Sequence, residues 1–263
     1  MKKYLFLWIL FCLLLPAAVS ARKVYITRHG QVNPKESFRK NKVRELALTG
    51  LGVTQAEALA KFLVEKQKFN GKIYVSPFYR TIQTGVTVAE LLKTQVILEP
   101  GIQEIAPGVR PGKTMDLKTI QAFFPEMTVP GKRYQDPWRL FAEDGKARYN
   151  RVEKALNAIL AEEKGDVLLV SHGGIVGNLV NVLNKRPASK QVQYTKGISW
   201  NCALFIFELD ENDKKVKGVF TTEFMEDKNL TSNFRCPKIE RPDDSRYERS
   251  SNAKQIKKKE KSK

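Results

Sequence analysis

Lys23-Val24-Tyr25-Ile26-Thr27-Arg28-His29-Gly30 and Asp166-Val167-Leu168-Leu169-Val170-Ser171-His172-Gly173-Gly174 share one pattern: a run of strand formers that ends in histidine and glycine. The runs are apolar at successive positions, which predicts strands buried on both faces, as in a parallel sheet. Working outward, Ile73-Tyr74-Val75-Ser76, Val96-Ile97-Leu98 and Ala203-Leu204-Phe205-Ile206-Phe207 read as further strands. Leu51–Lys68 places Val53, Ala56, Leu59, Ala60, Phe62 and Leu63 at helical spacing, and Arg80–Lys93, Asp144–Lys164 and Gly174–Asn184 also read as helices. This alternation predicts an α/β fold with a mostly parallel central sheet flanked by helices on both faces. Residues 105–143 carry Pro107, Pro111, Pro125, Pro130 and Pro137, which predicts an inserted loop/helix cap beside the sheet rather than more sheet.

The chain has 263 residues, 46 Lys+Arg against 28 Asp+Glu, and a net charge of +18. Its 42% hydrophobic share is enough for a core, and Gly 16, Pro 12 and Cys 3 exclude collagen-like and disulfide-scaffold classes. Lys2 and Lys3, the apolar run Tyr4–Leu15, and the small residues Ala17–Ala21 have the layout of a secretory signal peptide over 1–21. The apolar run is shorter than the ~20 residues of a bilayer span, so no stable membrane span is predicted after cleavage. Export, periplasmic or secreted, is the expected location. A folded body at 22–236 and a basic disordered tail at 237–263 complete the predicted organisation. The tail holds ten Lys/Arg and five Asp/Glu. It reads as solvated, and no nucleic-acid partner is expected. Cys202 and Cys236 remain in the mature chain, either as a disulfide or as two thiols.

His29 and His172 are the only two histidines of the chain, and both end strands. In an open parallel sheet the carboxyl ends of the strands line one edge, where ligands bind. Arg28 adjoins His29, and Arg80 lies in the strand-to-helix turn Ser76-Pro77-Phe78-Tyr79-Arg80 at the same edge. An arginine fork fits two phosphate oxygens, and the helix start at Gly173-Gly174 offers free N–H groups and a favourable dipole. The constellation predicts a phosphate pocket. A zinc site lacks a third histidine and any Cys-x-x-Cys or His-x-x-x-His spacing, so neither a metal nor another cofactor is expected.

Arg28-His29-Gly30 resembles the signature of the histidine phosphatase superfamily, the phosphoglycerate-mutase-like fold. Further segments resemble that family in order: Leu48-Thr49-x-x-Gly52-x-x-Gln55-Ala56, Ser76-Pro77-x-x-Arg80-Thr81-x-Gln83-Thr84, Gln103-Glu104-Ile105, and Val170-Ser171-His172-Gly173-Gly174. The resemblance covers roughly residues 23–210 and points to the mutase and broad-specificity phosphatase branch. It implies that His29 attacks phosphorus to give a covalent phosphohistidine, and that Arg28, Arg80 and His172 hold the non-bridging oxygens. It also implies that Glu104 serves as general acid and then base, a role that burial beside phosphate oxygens would favour. Val32-Asn33-Pro34-Lys35 departs from the family pattern, with Asn33 as a substrate contact from a shifted position. Gly173 is a further substrate contact.

The reading is a phosphomonoester hydrolase acting on a small-molecule substrate. A phosphoglycerate mutase-type phosphotransferase is the alternative within the branch, although the longer mutase motif Glu-Arg-His-Tyr-Gly is absent. A catalytically silent anion-binding protein is the alternative outside it. Residues 105–143, with Arg110, Lys113, Lys132, Arg133 and Arg139, are expected to fold over the pocket and favour substrates with a second negative charge.

Overall fold

A computed structural model describes residues 22–40, 43–104, 115–135, 143–190, 200–226 and 230. The elements in chain order are β1 (Arg22–Arg28), β2 (Val32–Lys40), β3 (Val43–Leu48), α1 (Gly50–Lys61), β4 (Lys72–Val75), α2 (Tyr79–Leu92), β5 (Val96–Leu98), α3 (Leu117–Phe123), β6 (Thr128–Pro130), α4 (Gly145–Glu162), β7 (Val167–Ser171), α5 (Gly173–Leu183), β8 (Leu204–Leu209), β9 (Lys215–Thr221) and α6 (Glu223–Glu226). Seven strands form one sheet in the order β6-β5-β4-β7-β1-β8-β9, while β2 and β3 form a separate hairpin. Pairing is parallel from β6 through β1 and antiparallel from β1 to β9. Every residue of β7 is buried, so both faces of the sheet are covered there. The predicted mostly parallel α/β sheet is therefore present.

The order brings β5, β4, β7 and β1 side by side, and each delivers one functional segment at its carboxyl end. In the β1–β7 register Arg28 faces Ser171, so the following residues, His29 and His172, emerge as neighbours. The backbone continues that pairing, with His29 N–H donating to the Ser171 carbonyl at 3.0 Å. Glycine follows His29 for a steric reason. A Cβ on Gly30 would lie 2.5 Å from the Gly52 carbonyl oxygen, and one on Gly52 would lie 2.2 Å from that of Gln31. The loop beyond His29 thus runs directly against the first turn of α1, which Thr49 caps by accepting from Gly52 N–H.

Three sequence expectations need correction. Thr128–Pro130 is not beside the sheet: it pairs in parallel with β5 as the edge strand. Pro130 is tolerated there because an edge strand needs only one side of its ladder. The helix read to Lys68 changes at Phe62–Lys66 into a π-helical turn, and Lys68 takes a left-handed φ of 56°. Arg133 is not a free charge over the pocket. Its guanidinium pairs with Glu99 and Glu162, both at 2.7 Å, and the Glu99 side chain is fully buried. Replacing Arg133 by alanine strips a buried carboxylate of its cation, and should lower unfolding stability by about 3 kcal/mol in urea melts. A loss under about 1 kcal/mol would show that the pair is solvent-screened. Arg110, Lys113, Arg139, the signal segment 1–21, the tail 237–263 and Cys236 lie outside the described residues. No helix among the described residues is long and apolar enough to cross a membrane.

Candidate active site

His29 is 2% exposed. Its Nδ1 lies 2.8 Å from the Gly30 carbonyl, an atom that can only accept, so Nδ1 carries the proton and donates it there. The lone pair is then on Nε2. Burial, with help from Arg80 and Arg28, holds the imidazole pKa well below the ordinary histidine value. The ring is thus neutral near pH 7, with one nitrogen fixed as donor and the other available as nucleophile. Asn201 donates from Nδ2 to the His29 carbonyl at 2.8 Å, and Thr84 Oγ1 accepts from Gly30 N–H at 3.0 Å. The backbone of His29 and Gly30 is therefore held on both sides.

His172 is the N-cap residue of α5 and fully buried, 5.3 Å from the His29 ring between centroids. Its Nδ1 lies 3.1 Å from Arg80 Nη2, which can only donate, so Nδ1 accepts. Nε2 then bears the proton and donates to Ser76 Oγ at 2.8 Å. Burial, Arg80 and His29 lower its pKa well below the usual value. Because these are the chain's only histidines, ring-nitrogen NMR can read both directly. We expect His29 as the Nδ1–H tautomer and His172 as the Nε2–H tautomer, neither taking a proton as pH falls through 6.5. A midpoint near 6.5 for either ring would contradict the buried, arginine-flanked environment.

Arg80 is 8% exposed, with its guanidinium carbon 4.8 Å from the Phe78 ring centre. Phe78 also packs edge-on against His172, at 5.2 Å. Arg28 ends β1 beside it, and burial followed by the like charge of Arg80 lowers its pKa. Two guanidinium groups that repel each other define a place where an anion belongs. Gly173 and Gly174 open α5 on the same edge. Its intrahelical bonds start with Ile175 and Val176 donating to the His172 carbonyl, so the two glycine N–H groups precede them.

Glu104 follows the 3-10 turn Pro100–Ile102 at the end of β5. Its Oε2 lies 3.4 Å from Arg80 Nη2 and 3.3 Å from His172 Nδ1. Its side chain is 33% exposed, more open than the burial expected from sequence. The turn that carries it is tied down: Glu99 accepts from Gly101 N–H at 2.8 Å, Arg151 donates to the Gly101 carbonyl at 2.8 Å, and Ser171 Oγ donates to the Ile102 carbonyl at 2.7 Å. The structure therefore brings together Arg28, His29, Arg80, Glu104, His172 and the α5 start. Asn33 lies half-buried on β2. Asp116 and Asp144 serve as helix N-caps, accepting from the backbone N–H groups of Thr119 and Ala147. Sequence reading missed Ser76 as the His172 partner, Asn201 behind His29, and Arg151 behind the Glu104 turn. Of these only Ser76 carried a signal, since it lies in the Arg80 motif.

Among the described residues no three of His, Cys, Asp and Glu converge as a metal cage. Cys202 is buried against Arg28, its N–H donating to the Arg28 carbonyl at 3.1 Å, and burial pushes its thiol pKa up. It acts as wall rather than as nucleophile.

The sequence model of the histidine phosphatase superfamily, branch 1, matches residues 24–222. A protein named "Probable phosphoglycerate mutase GpmB" from Proteus mirabilis is 30% identical over 170 residues, covering 63% of this chain and 76% of that protein. A protein named "Putative phosphoserine phosphatase 2" from Hydrogenobacter thermophilus is 27% identical over 165 residues, covering 62% and 78%. Among solved structures, the ecdysone phosphate phosphatase of Bombix mori superposes with a TM-score of 0.56 at 19% identity, covering 74% of this chain and 92% of that one.

Proposed function

Since this chain belongs to the histidine phosphatase superfamily, we propose that it is a phosphomonoester hydrolase working through a covalent phosphohistidine on His29. The observation that carries the reading is the hydrogen bond of His29 Nδ1–H to the Gly30 carbonyl, which leaves the lone pair on Nε2 of a ring that Arg28 and Arg80 act on. Nε2 attacks phosphorus, the P–O bond to the leaving alcohol breaks, and the phosphoryl group resides on nitrogen until water displaces it. Arg28 and Arg80 neutralise the three non-bridging oxygens as charge moves outward. His172 orients Arg80 through Nδ1.

Glu104 is the carboxyl within reach of this region, through Arg80 and His172. It gives its proton to the leaving oxygen and regains one from the attacking water. An acid matters most when the departing alkoxide is strongly basic. Glu104→Gln should therefore lose about 10²–10⁴-fold in kcat/KM on an alkyl phosphate and much less on an aryl phosphate. Equal losses on both would remove Glu104 from the acid role.

Hydrolysis is favoured over mutase-type transfer. The segment after Glu104 is Ile105-Ala106-Pro107-Gly108 rather than the longer mutase motif, and phosphatase is the activity in the names of two of the similar proteins. The apolar run and small residues at 1–21 support a site of action outside the cytoplasm. The test is turnover of a phosphomonoester panel by the chain from Arg22 onward, with and without a chelator. Release of inorganic phosphate insensitive to chelation is expected. Transfer to an acceptor alcohol without net phosphate release would favour the mutase.

A further inference from the structure

Glu45 takes no part in the reaction above, yet it lies against it. It sits on β3 and is 1% exposed. Its Oε2 accepts from the backbone N–H of Tyr79 at 3.2 Å, at the first residue of α2. Its Oε1 is buried without a hydrogen-bond partner among the described residues. The next residue of α2 is Arg80, and the Glu45 carboxylate and the Arg80 guanidinium act on each other.

Burial raises the Glu45 pKa from 4.5 to about 7, against the pull of Arg80 from α2 and of the Tyr79 and Leu46 backbone N–H groups. No charged group of α1, and none of the described side chains of the hairpin, acts on it. A buried carboxylate with one oxygen unpaired is costly to keep ionised. Among the described residues Arg80 is the full charge that offsets that cost, and Arg80 is also the group that a bound phosphate neutralises.

We propose that Glu45 is a proton acceptor coupled to anion binding at Arg80: when a phosphate group occupies Arg80, Glu45 takes a proton from solvent on Oε1, and it releases that proton when phosphate leaves. The inference rests on the phosphate-site reading given above. Protonation at Oε1 leaves Oε2 free to keep accepting from Tyr79, so the carboxyl changes charge without losing its hydrogen bond. The sign follows from linkage. Above about pH 7 the empty site holds an ionised Glu45, each bound dianion must bring a proton, and affinity falls by up to about tenfold per pH unit. Glu45→Gln fixes a neutral side chain that still offers an oxygen to Tyr79, so this pH dependence should disappear.

Sulfate is the probe, because it remains a dianion across the range. Calorimetric titration at pH 7.5, in two buffers of different ionisation enthalpy, counts the protons taken up. We expect uptake per sulfate in the unmodified chain to exceed that of Glu45→Gln by roughly half a proton or more, and the same Glu45-dependent difference to persist in the Glu104→Gln background. Sulfate binding without uptake in the unmodified chain overturns the proposal, as does unchanged uptake in Glu45→Gln, which would assign the proton to Glu104, His29 or His172. Failure of the unmodified chain to bind sulfate at all overturns the phosphate-site reading itself. Should Glu45→Gln not fold, infrared difference spectra of the unmodified chain and of Glu104→Gln decide. Sulfate should raise a protonated-carboxyl band in both, and its absence from the first or loss in the second overturns the proposal.

Discussion

His29→Ala should bring turnover of every phosphomonoester down by about 10⁴-fold or more, while leaving sulfate binding within a few-fold of the unmodified protein. The two halves of that result have separate causes. In the proposed mechanism turnover needs Nε2 as the atom that forms the bond to phosphorus, and no other described nucleophile is placed to replace it. Cys202 is the one cysteine among the described residues, and its buried thiol holds its proton. Binding rests mainly on Arg28, Arg80 and the α5 start, all of which remain. The imidazole is neutral, so its removal takes away no charge from the pocket. Steady-state kinetics and sulfate calorimetry on one preparation check both halves. Residual turnover above about one hundredth would point to direct attack by water.

Arg80→Met should cost about 10³-fold in kcat/KM, with sulfate binding lost as well. Arg80 is bound into the site from several sides. It donates to His172 Nδ1, lies 3.4 Å from Glu104, packs on Phe78, and opens the helix that follows β4. Methionine retains much of the stem volume and removes the fork, so the fold should persist while charge neutralisation fails. Arg80→Lys restores the charge but not the planar pair of donors, and should recover only part of the loss. Full recovery with lysine would mean that the site needs a point charge alone. The partial effect is best read as a split, with KM rising in both variants and kcat falling further in Arg80→Met.

The sheet and its edge were legible because they rest on local apolar runs. Val24–Thr27 and Val167–Val170 could be recognised as buried strands, and the histidines then followed by position along the chain. The hairpin β2–β3 was not legible. Val32–Lys40 reads VNPKESFRK, with a proline and four charged residues and no clean alternation, and its partner lies in the same polar stretch. β6 and β9 were hidden for similar reasons. One is three residues long and ends in proline; the other is an edge strand reading KVKGVFT, whose charged face is solvated.

Within the site, the residues proposed to hold phosphate could be picked out from sequence, because arginine and histidine at strand ends are rare and chemically specific. The groups that hold them in place could not. Asn201 reaches the His29 carbonyl across 172 residues, Ser171 reaches Ile102 across 69, and Arg133 reaches Glu99 across 34. Each is an ordinary polar residue until the sheet order brings its partner near. Glu45 is hidden more deeply, since nothing in Arg44-Glu45-Leu46 distinguishes a buried carboxylate from a solvated one. Even the reading of Arg133 as an anion-selecting cation failed on this ground: its charge is matched inside the fold.

The proposed chemistry turns on a covalent bond between His29 Nε2 and phosphorus. Rapid quench of the unmodified chain with a fast aryl phosphate, followed by tryptic digestion under alkaline conditions and mass spectrometry, reads it directly. Cleavage after Arg28 places His29 at the start of its own peptide, ending at Lys35. That peptide should carry one phosphoryl group, stable to alkali and lost in acid, forming at least as fast as turnover and absent from His29→Ala. Full turnover with no phosphorylated His29 peptide at any quench time, or a phosphoryl group found on His172 instead, would contradict it.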